Sequence, residues 1–332
     1  MRVFVGRGRW RAASAAALAL VLATGACTGR DGGGTTTPGD VDPDGGSIAE
    51  GFDLSGVSLS VSSKEFTESV VLGKITVHAL RAAGAEVEDR TGLMGSNIAR
   101  QALENGEVDL YWEYSGTGWT QHLGHDTAVQ GEQEQFEATA EADLEENRIA
   151  WLGPAGFGNQ YGIARAADAP GPAGGVDSLG ELGDFVDEHP EEATFCGAAE
   201  FMDREWENFQ QAHDAPFPVD GVHQMDLALN YVNGARSDPC NFAEVFTTDA
   251  RIDSLDMEVL EDSEGYFTTE LAALTARQET VEESPELEEL ADLLGRALTE
   301  DEIIELNGMV DLEGADADAA ALHFLQENGF VG

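Results

Sequence analysis

The sequence predicts an α/β fold in two lobes, each a doubly wound, mostly parallel sheet flanked by helices. Over residues 59–114, short apolar runs alternate with amphipathic ones in the order strand, helix, strand, helix, strand, the pattern of such a sheet. A second alternation, over 162–262, reads as a lobe inserted into the first. At 332 residues the chain is long enough for both.

The N-terminus carries Arg2, Arg7, Arg9 and Arg11 ahead of a small apolar run, 12–26, that is too short for a comfortable membrane span. It ends Thr24-Gly25-Ala26-Cys27, which predicts a signal peptide over 1–26 with Cys27 lipidated as the new N-terminus, Thr24 standing where leucine is usual. Residues 27–51 are rich in Gly, Thr, Pro and Asp with almost nothing apolar to bury, and predict a flexible tether between membrane and domain.

Residues 59–63 predict the first strand and 67–83 a helix, with Val71, Ile75, Ala79 and Ala82 on one face, Thr67 as N-cap and Gly84 as terminator. A short strand around Val87 and a helix over 96–104, stopped by Asn105-Gly106, lead into VDLYWEYSGTG, residues 108–118. There a strand runs out into small residues that let backbone approach a ligand, at the carboxyl end where open α/β sheets collect ligands. A helix over 132–147 and a strand over 149–152 follow. The inserted lobe predicts helices over 179–188, 203–212 and 225–233 and strands over 193–196, 243–247 and 257–260; the last seventy or so residues read as mostly helical.

Charge narrows the function. Of 17 basic residues four precede the cleavage site, leaving 13 against 64 acidic ones, so nucleic acid would be repelled. Lys64 and Lys74 are the only lysines, and a carboxylate-rich surface of this kind suits high salt. Cys196 and Cys240, in an oxidising compartment, predict a disulfide within the second lobe. The cysteines and scattered histidines are too few for a zinc site, His122 and His125 lack companion ligands, and GxSxG, HExxH and P-loop motifs are absent, so neither metal, cofactor nor catalysis is expected.

The stretches SSKEFTES (62–69), GSNIARQALENGEVDLY (95–111) and EYSGTG (113–118) resemble the substrate-binding proteins of ABC importers for glycine betaine, carnitine and choline. The resemblance runs from about Leu59 to the C-terminus. It implies a type II periplasmic-binding-protein-like fold, with lobe I over 52–161 plus 263–332, lobe II over 162–262, and a two-strand hinge between them. It also implies no enzyme activity, a monomer lipid-anchored on the extracytoplasmic face, and delivery of a small solute to an ABC permease. A quaternary ammonium has no proton to donate, so aromatic faces and carboxylates must select it. By this resemblance Lys64, Tyr114 and Thr117 reach the ligand, Tyr161 with Asn159 beside it joins an aromatic cage, and Arg204, within FCGAAEFMDREW (195–206), holds a ligand carboxylate. Phe246 keeps a ring without its hydroxyl before Thr247-Thr248-Asp249, and Glu270 falls near a family tyrosine, unless Tyr266 or Phe267 supplies that ring. A carboxylate at Glu270 favours a cation without a carboxylate, such as choline. The alternatives are a binding protein for another cationic or amino-acid-like solute, or a non-transport sensory lipoprotein.

Overall fold

The computed structural model describes residues 45–125, 129, 131–267 and 270–332. The expected signal peptide, the lipidation site at Cys27 and most of the expected tether lie outside the described residues. The tether reading is corrected at its far end: Ser47–Gly51 is helical, Ile48 is fully buried, and the amides of Ser47 and Ile48 donate to the carbonyls of Gly329 and Phe330 at 3.0 and 3.2 Å. One buried isoleucine and two backbone bonds suffice to dock a short helix that composition alone reads as linker.

Strands β1 (Ser58–Lys64), β2 (Glu86–Leu93), β3 (Leu110–Tyr114), β4 (Ile149–Leu152) and β5 (Gly158–Asn159) precede the second lobe. That lobe contains β6 (Tyr161–Ala166), β7 (Phe195–Gly197), β8 (Val222–Gln224), β9 (Phe242–Phe246) and β10 (Met257–Val259), after which β11 (Glu270–Arg277) returns. The first sheet has the order β2-β1-β3-β11-β4 with β5 on β11; the second has β10-β6-β9-β7-β8. β1 runs parallel to β2 and β3, and β7 parallel to β8 and β9. The strands that carry the chain between lobes, β6 and β11, pair antiparallel with their neighbours. Parallel neighbours need a crossover helix, whereas a strand arriving from the other lobe is free to run against the sheet it joins.

The C-terminal region is mostly helical, as expected, with β11 as a strand ahead of its helices. The sequence of β11, ELAALTAR, is rich in helix-forming residues, yet Leu271 to Ala276 are buried between β3 and β4. Burial between two strands overrides local propensity. The first-lobe helix is Thr67–Ala82, but Thr67 is not its cap: Phe66 holds that position without a side-chain bond, and the Thr67 hydroxyl donates to Asp311 Oδ1 at 2.7 Å. Gly84, at φ +92°, turns the chain out of that helix as expected.

The return to the first lobe comes later than residue 263. Asp262 accepts the amides of Tyr266 and Phe267 at 2.9 and 2.8 Å, and Phe267 stacks on Phe209 at 5.9 Å inside the second core. The turn at Asp262 folds both rings onto the second core, and neither lines the cleft between the lobes. The second lobe is tied by Cys196 on β7 and Cys240, just ahead of β9, which form a disulfide with Cα atoms 5.7 Å apart.

Candidate functional site

The carboxyl ends of β1 and β3, the β5–β6 crossover, the end of β9 and the start of β11 open on one cleft of about 440 Å³ between the lobes. All eight ligand candidates, Lys64, Tyr114, Thr117, Asn159, Tyr161, Arg204, Phe246 and Glu270, line it. Parallel strands release their side chains at one end of a sheet, and the two sheets present those ends to each other.

Four rings form a continuous wall. Tyr114 and Phe66 are 6.1 Å apart between centroids, Phe66 and Phe246 5.6 Å, and Phe246 and Tyr161 4.9 Å. Phe246 and Tyr161 are direct cross-strand partners of β9 and β6, which explains their stacking. Phe66 and Tyr114 come from the first lobe, so the wall crosses from one lobe to the other.

Lys64 is not a free cation. Its ammonium is 2.7 Å from Glu113 Oε1 and 3.4 Å from Ser96 Oγ, and lies 4.5 Å from the centroid of the Tyr114 ring. Glu113 is fully buried and also meets the Tyr111 hydroxyl and His122 Nε2, each at 3.0 Å. Burial pushes the Glu113 carboxyl up, but the Lys64 charge and His122 outweigh it and hold the group well below the usual carboxylate range. His122 thus serves a buried carboxylate through a π-helical turn, Gly118–His122.

Tyr114 presents a ring rather than a hydroxyl, since its O–H donates to Glu68 Oε1 at 2.6 Å. Thr117 donates both N–H and O–H to Glu270 Oε2, at 3.0 and 2.9 Å. Glu270 therefore lies in the cleft, and burial raises its carboxyl even though Arg204, Thr117 and Lys64 favour the charged form. The glycines of SGTG act here by absence of bulk: neither Gly116 nor Gly118 has positive φ, but a Cβ at Gly116 would stand 2.6 Å from Glu270 Cδ, and one at Gly118 2.5 Å from Trp151 Cζ2. Asn159 pairs with Glu270 across β5 and β11 and donates to Glu68 at 3.1 Å.

Across the cleft, Arg204 ends the helix Ala199–Arg204, 5.7 Å from the Tyr161 ring centroid and 3.6 and 3.9 Å from Glu200 and Glu205. Ser96 donates to Glu200 at 3.0 Å and Arg251 meets Asp311 at 3.0 Å, bridging the lobes at either side. Sequence reasoning missed Phe66, Glu68 and Glu244 as site residues. The first two lay inside the SSKEFTES stretch; Glu244 precedes Phe246 by two positions on β9, and that period puts both on one face.

Glu244 is buried and accepts from the Ala198 amide at 2.5 Å and from Asn230 Nδ2 at 3.0 Å, both on Oε2. Burial pushes its carboxyl up from 4.5 to about 7. A raised folded-state value means the folded protein keeps a proton that the unfolded chain has released, so this contribution to stability is present below 4.5 and is lost as pH rises through about 7. Glu244→Gln keeps both accepted bonds without the charge. Its stability relative to the parent should rise by about 3 kcal/mol in going from about pH 5 to about pH 8. Thermal unfolding at constant salt checks this, and a difference that stays flat with pH contradicts it.

Residues 57–327 match the family described as the substrate binding domain of ABC-type glycine betaine transport systems. A glycine-betaine-binding protein of Pseudomonas aeruginosa is 28% identical over 278 residues, covering 82% of this chain and 88% of that one. The ergothioneine transport permease/ergothioneine binding protein EgtU of Helicobacter pylori is 30% identical over 232 residues, 69% of this chain; the match spans 40% of that protein's length. Among solved structures, apo YehZ from Escherichia coli superposes with a TM-score of 0.62 at 25% identity, over 82% of this chain and 99% of that one. A glycine betaine/carnitine/choline ABC transporter structure has a TM-score of 0.66 at 20% identity, with 82% and 98% covered, and shares the fold.

Proposed function

Because the chain belongs to the substrate-binding domain family of ABC-type glycine betaine transport systems, and so is a binding protein rather than an enzyme, we propose that it captures a quaternary-ammonium solute in the interlobe cleft and hands it to an ABC permease. The observation that carries this reading is the four-ring wall spanning both lobes. Aromatic faces attract a cation that offers no hydrogen bond, at about 0.5–2 kcal/mol per ring.

The cleft's charge refines the class of ligand. Among the described residues six acidic side chains line it, Glu65, Glu200, Asp226, Glu244, Glu270 and Asp311, of which Glu244 holds its proton up to about pH 7, against three cations, Lys64, Arg204 and Arg251. Each cation lies within 4 Å of a carboxylate: Lys64 of Glu113, Arg251 of Asp249 and Asp311, and Arg204, the most loosely held, of Glu200. Among the described cleft cations Arg204 is the one with the longest ion-pair distances left to meet a zwitterion's carboxylate, whereas a positive head meets rings and Glu270. The balance supports a cation without a carboxylate, choline being the simplest, and it also keeps other cationic solutes in view. Lys64, Tyr114, Thr117, Asn159, Tyr161, Arg204, Phe246 and Glu270 are the residues proposed to face it.

No helix among the described residues is long and apolar enough to cross a membrane. We place the chain outside the cytoplasm, as a monomer held by a lipid on Cys27; loss of membrane association on Cys27→Ala tests the anchor. Titration calorimetry with choline, glycine betaine, carnitine and ergothioneine tests the ligand. Choline should bind tightest, by about tenfold or more over glycine betaine. Equal or stronger binding of the zwitterions overturns the preference, and no heat with any of the four overturns the quaternary-ammonium reading.

A further inference from the structure

We propose that Glu68 is a positioning residue that couples the ligand-facing wall of the first lobe to closure of the second. Its carboxylate is 4% exposed and is met by four side-chain donors from four separate segments. Oε1 accepts from the Tyr114 hydroxyl at the end of β3, at 2.6 Å, and from Asn159 Nδ2 on β5, at 3.1 Å. Oε2 accepts from the Thr248 hydroxyl, just beyond β9 in the second lobe, at 2.6 Å, and from Asn307 Nδ2 on the helix Glu300–Asp311, at 3.1 Å.

The division between the two oxygens is what makes the residue more than a buried polar hub. One oxygen orients two groups that line the cleft; the other crosses to the second lobe. Asn307 Nδ2 is also 3.2 Å from the Thr248 carbonyl, so the crossing contact has two strands of support. A carboxylate is acceptor-only and can receive all four donors at once; burial in a low dielectric makes each such bond count. Tilting the Tyr114 ring or shifting Asn159 pulls on the group that holds Thr248, and lobe separation pulls back on the ring. By linkage, a ligand that settles the ring favours the closed pair of lobes.

Glu68→Gln is the discriminating change. It keeps the shape, but its amide must put an NH2 where an Asn NH2 already donates, whichever way it turns. This inference rests on the binding role proposed above only in taking closure to accompany capture, so its test is read without ligand. Spin labels on cysteines at the exposed positions Met94 and Leu229, one in each lobe, report the interlobe distance, with Cys27→Ser keeping the N-terminus unlabelled. Glu68→Gln should lower the short-distance population about tenfold, and Thr248→Val should do the same. The double variant should add little to either in distance, and Thr248→Ser should retain the parent distribution. A purely structural role would lower the melting temperatures while leaving the distances of the folded molecules alone. Unchanged distances in Glu68→Gln and Thr248→Val, or fully additive shifts in the double variant, overturn the proposal. Absence of choline binding by the parent bears only on the ligand reading, and the distances still decide for or against Glu68.

Discussion

Replacing Glu113 by glutamine should destabilise the protein by about 3–5 kcal/mol, the largest effect expected of any single change in the site. The variant leaves the Lys64 ammonium, whose side chain is 5% exposed, without the carboxylate 2.7 Å away that neutralises it. It also leaves the Tyr111 hydroxyl and His122 facing an amide in place of a charge. Neither Ser96, at 3.4 Å, nor the face of Tyr114 can replace a buried counter-ion. Because the penalty is largely that of an orphaned charge, removing the ammonium as well, as Lys64→Met with Glu113→Gln, should recover most of it, since the amide still offers an acceptor to the Tyr114 N–H and a donor to Tyr111 and His122. Urea unfolding measures both. A cost under about 1 kcal/mol for Glu113→Gln would mean that the ammonium finds water, and that Lys64 faces the cleft as a free cation after all.

The second large effect is on binding. Glu270→Gln should weaken choline binding by about 10- to 100-fold, the order expected for losing one partly screened charge near a bound cation. Folding should be little affected, since the amide oxygen can still accept from the Thr117 N–H and O–H. Glycine betaine should lose less, because its carboxylate gains from removing a neighbouring negative charge. Calorimetry with both ligands gives the ratio of the two losses. A ratio near one would mean that Glu270 does not sense the charge pattern of the ligand. Glu270→Tyr is a poorer test, as the existing side chain lies so close on Gly116 that a Cβ there would stand 2.6 Å from it.

The legible parts of the chain are those where one local signal suffices. The helices Ser96–Glu104 and Glu132–Asn147 and the strand Ile149–Leu152 fall at the expected residues: the first carries a marked apolar face, the second is a run of helix-forming residues opened by Gly131, and the third a short apolar run. The candidates that line the cleft were legible through motifs, which mark positions but not partners. Nothing local to Lys64 says that its charge is spent on Glu113, 49 positions on, or that the Thr117 hydroxyl turns to Glu270, 153 positions on. Phe66 and Glu68 were in view in the same stretch as Lys64, yet one reads as core and the other as one acid among 64.

What the sequence alone determined was the class of molecule: alternating apolar periods demand layered sheets and helices, and motif spacing puts small and aromatic residues at the strand ends that open on a cleft. What only the tertiary structure decided was which charges cancel, which strands run backwards and where the lobes join. ELAALTAR becomes β11 because β3 and β4 leave a slot whose backbone groups must be paired. Glu68 becomes a junction because four distant donors arrive around it. Local order follows from short-range sterics and periodicity, whereas pairing in a low-dielectric interior depends on what long-range folding brings within 3 Å or so, a distance that no stretch of sequence contains.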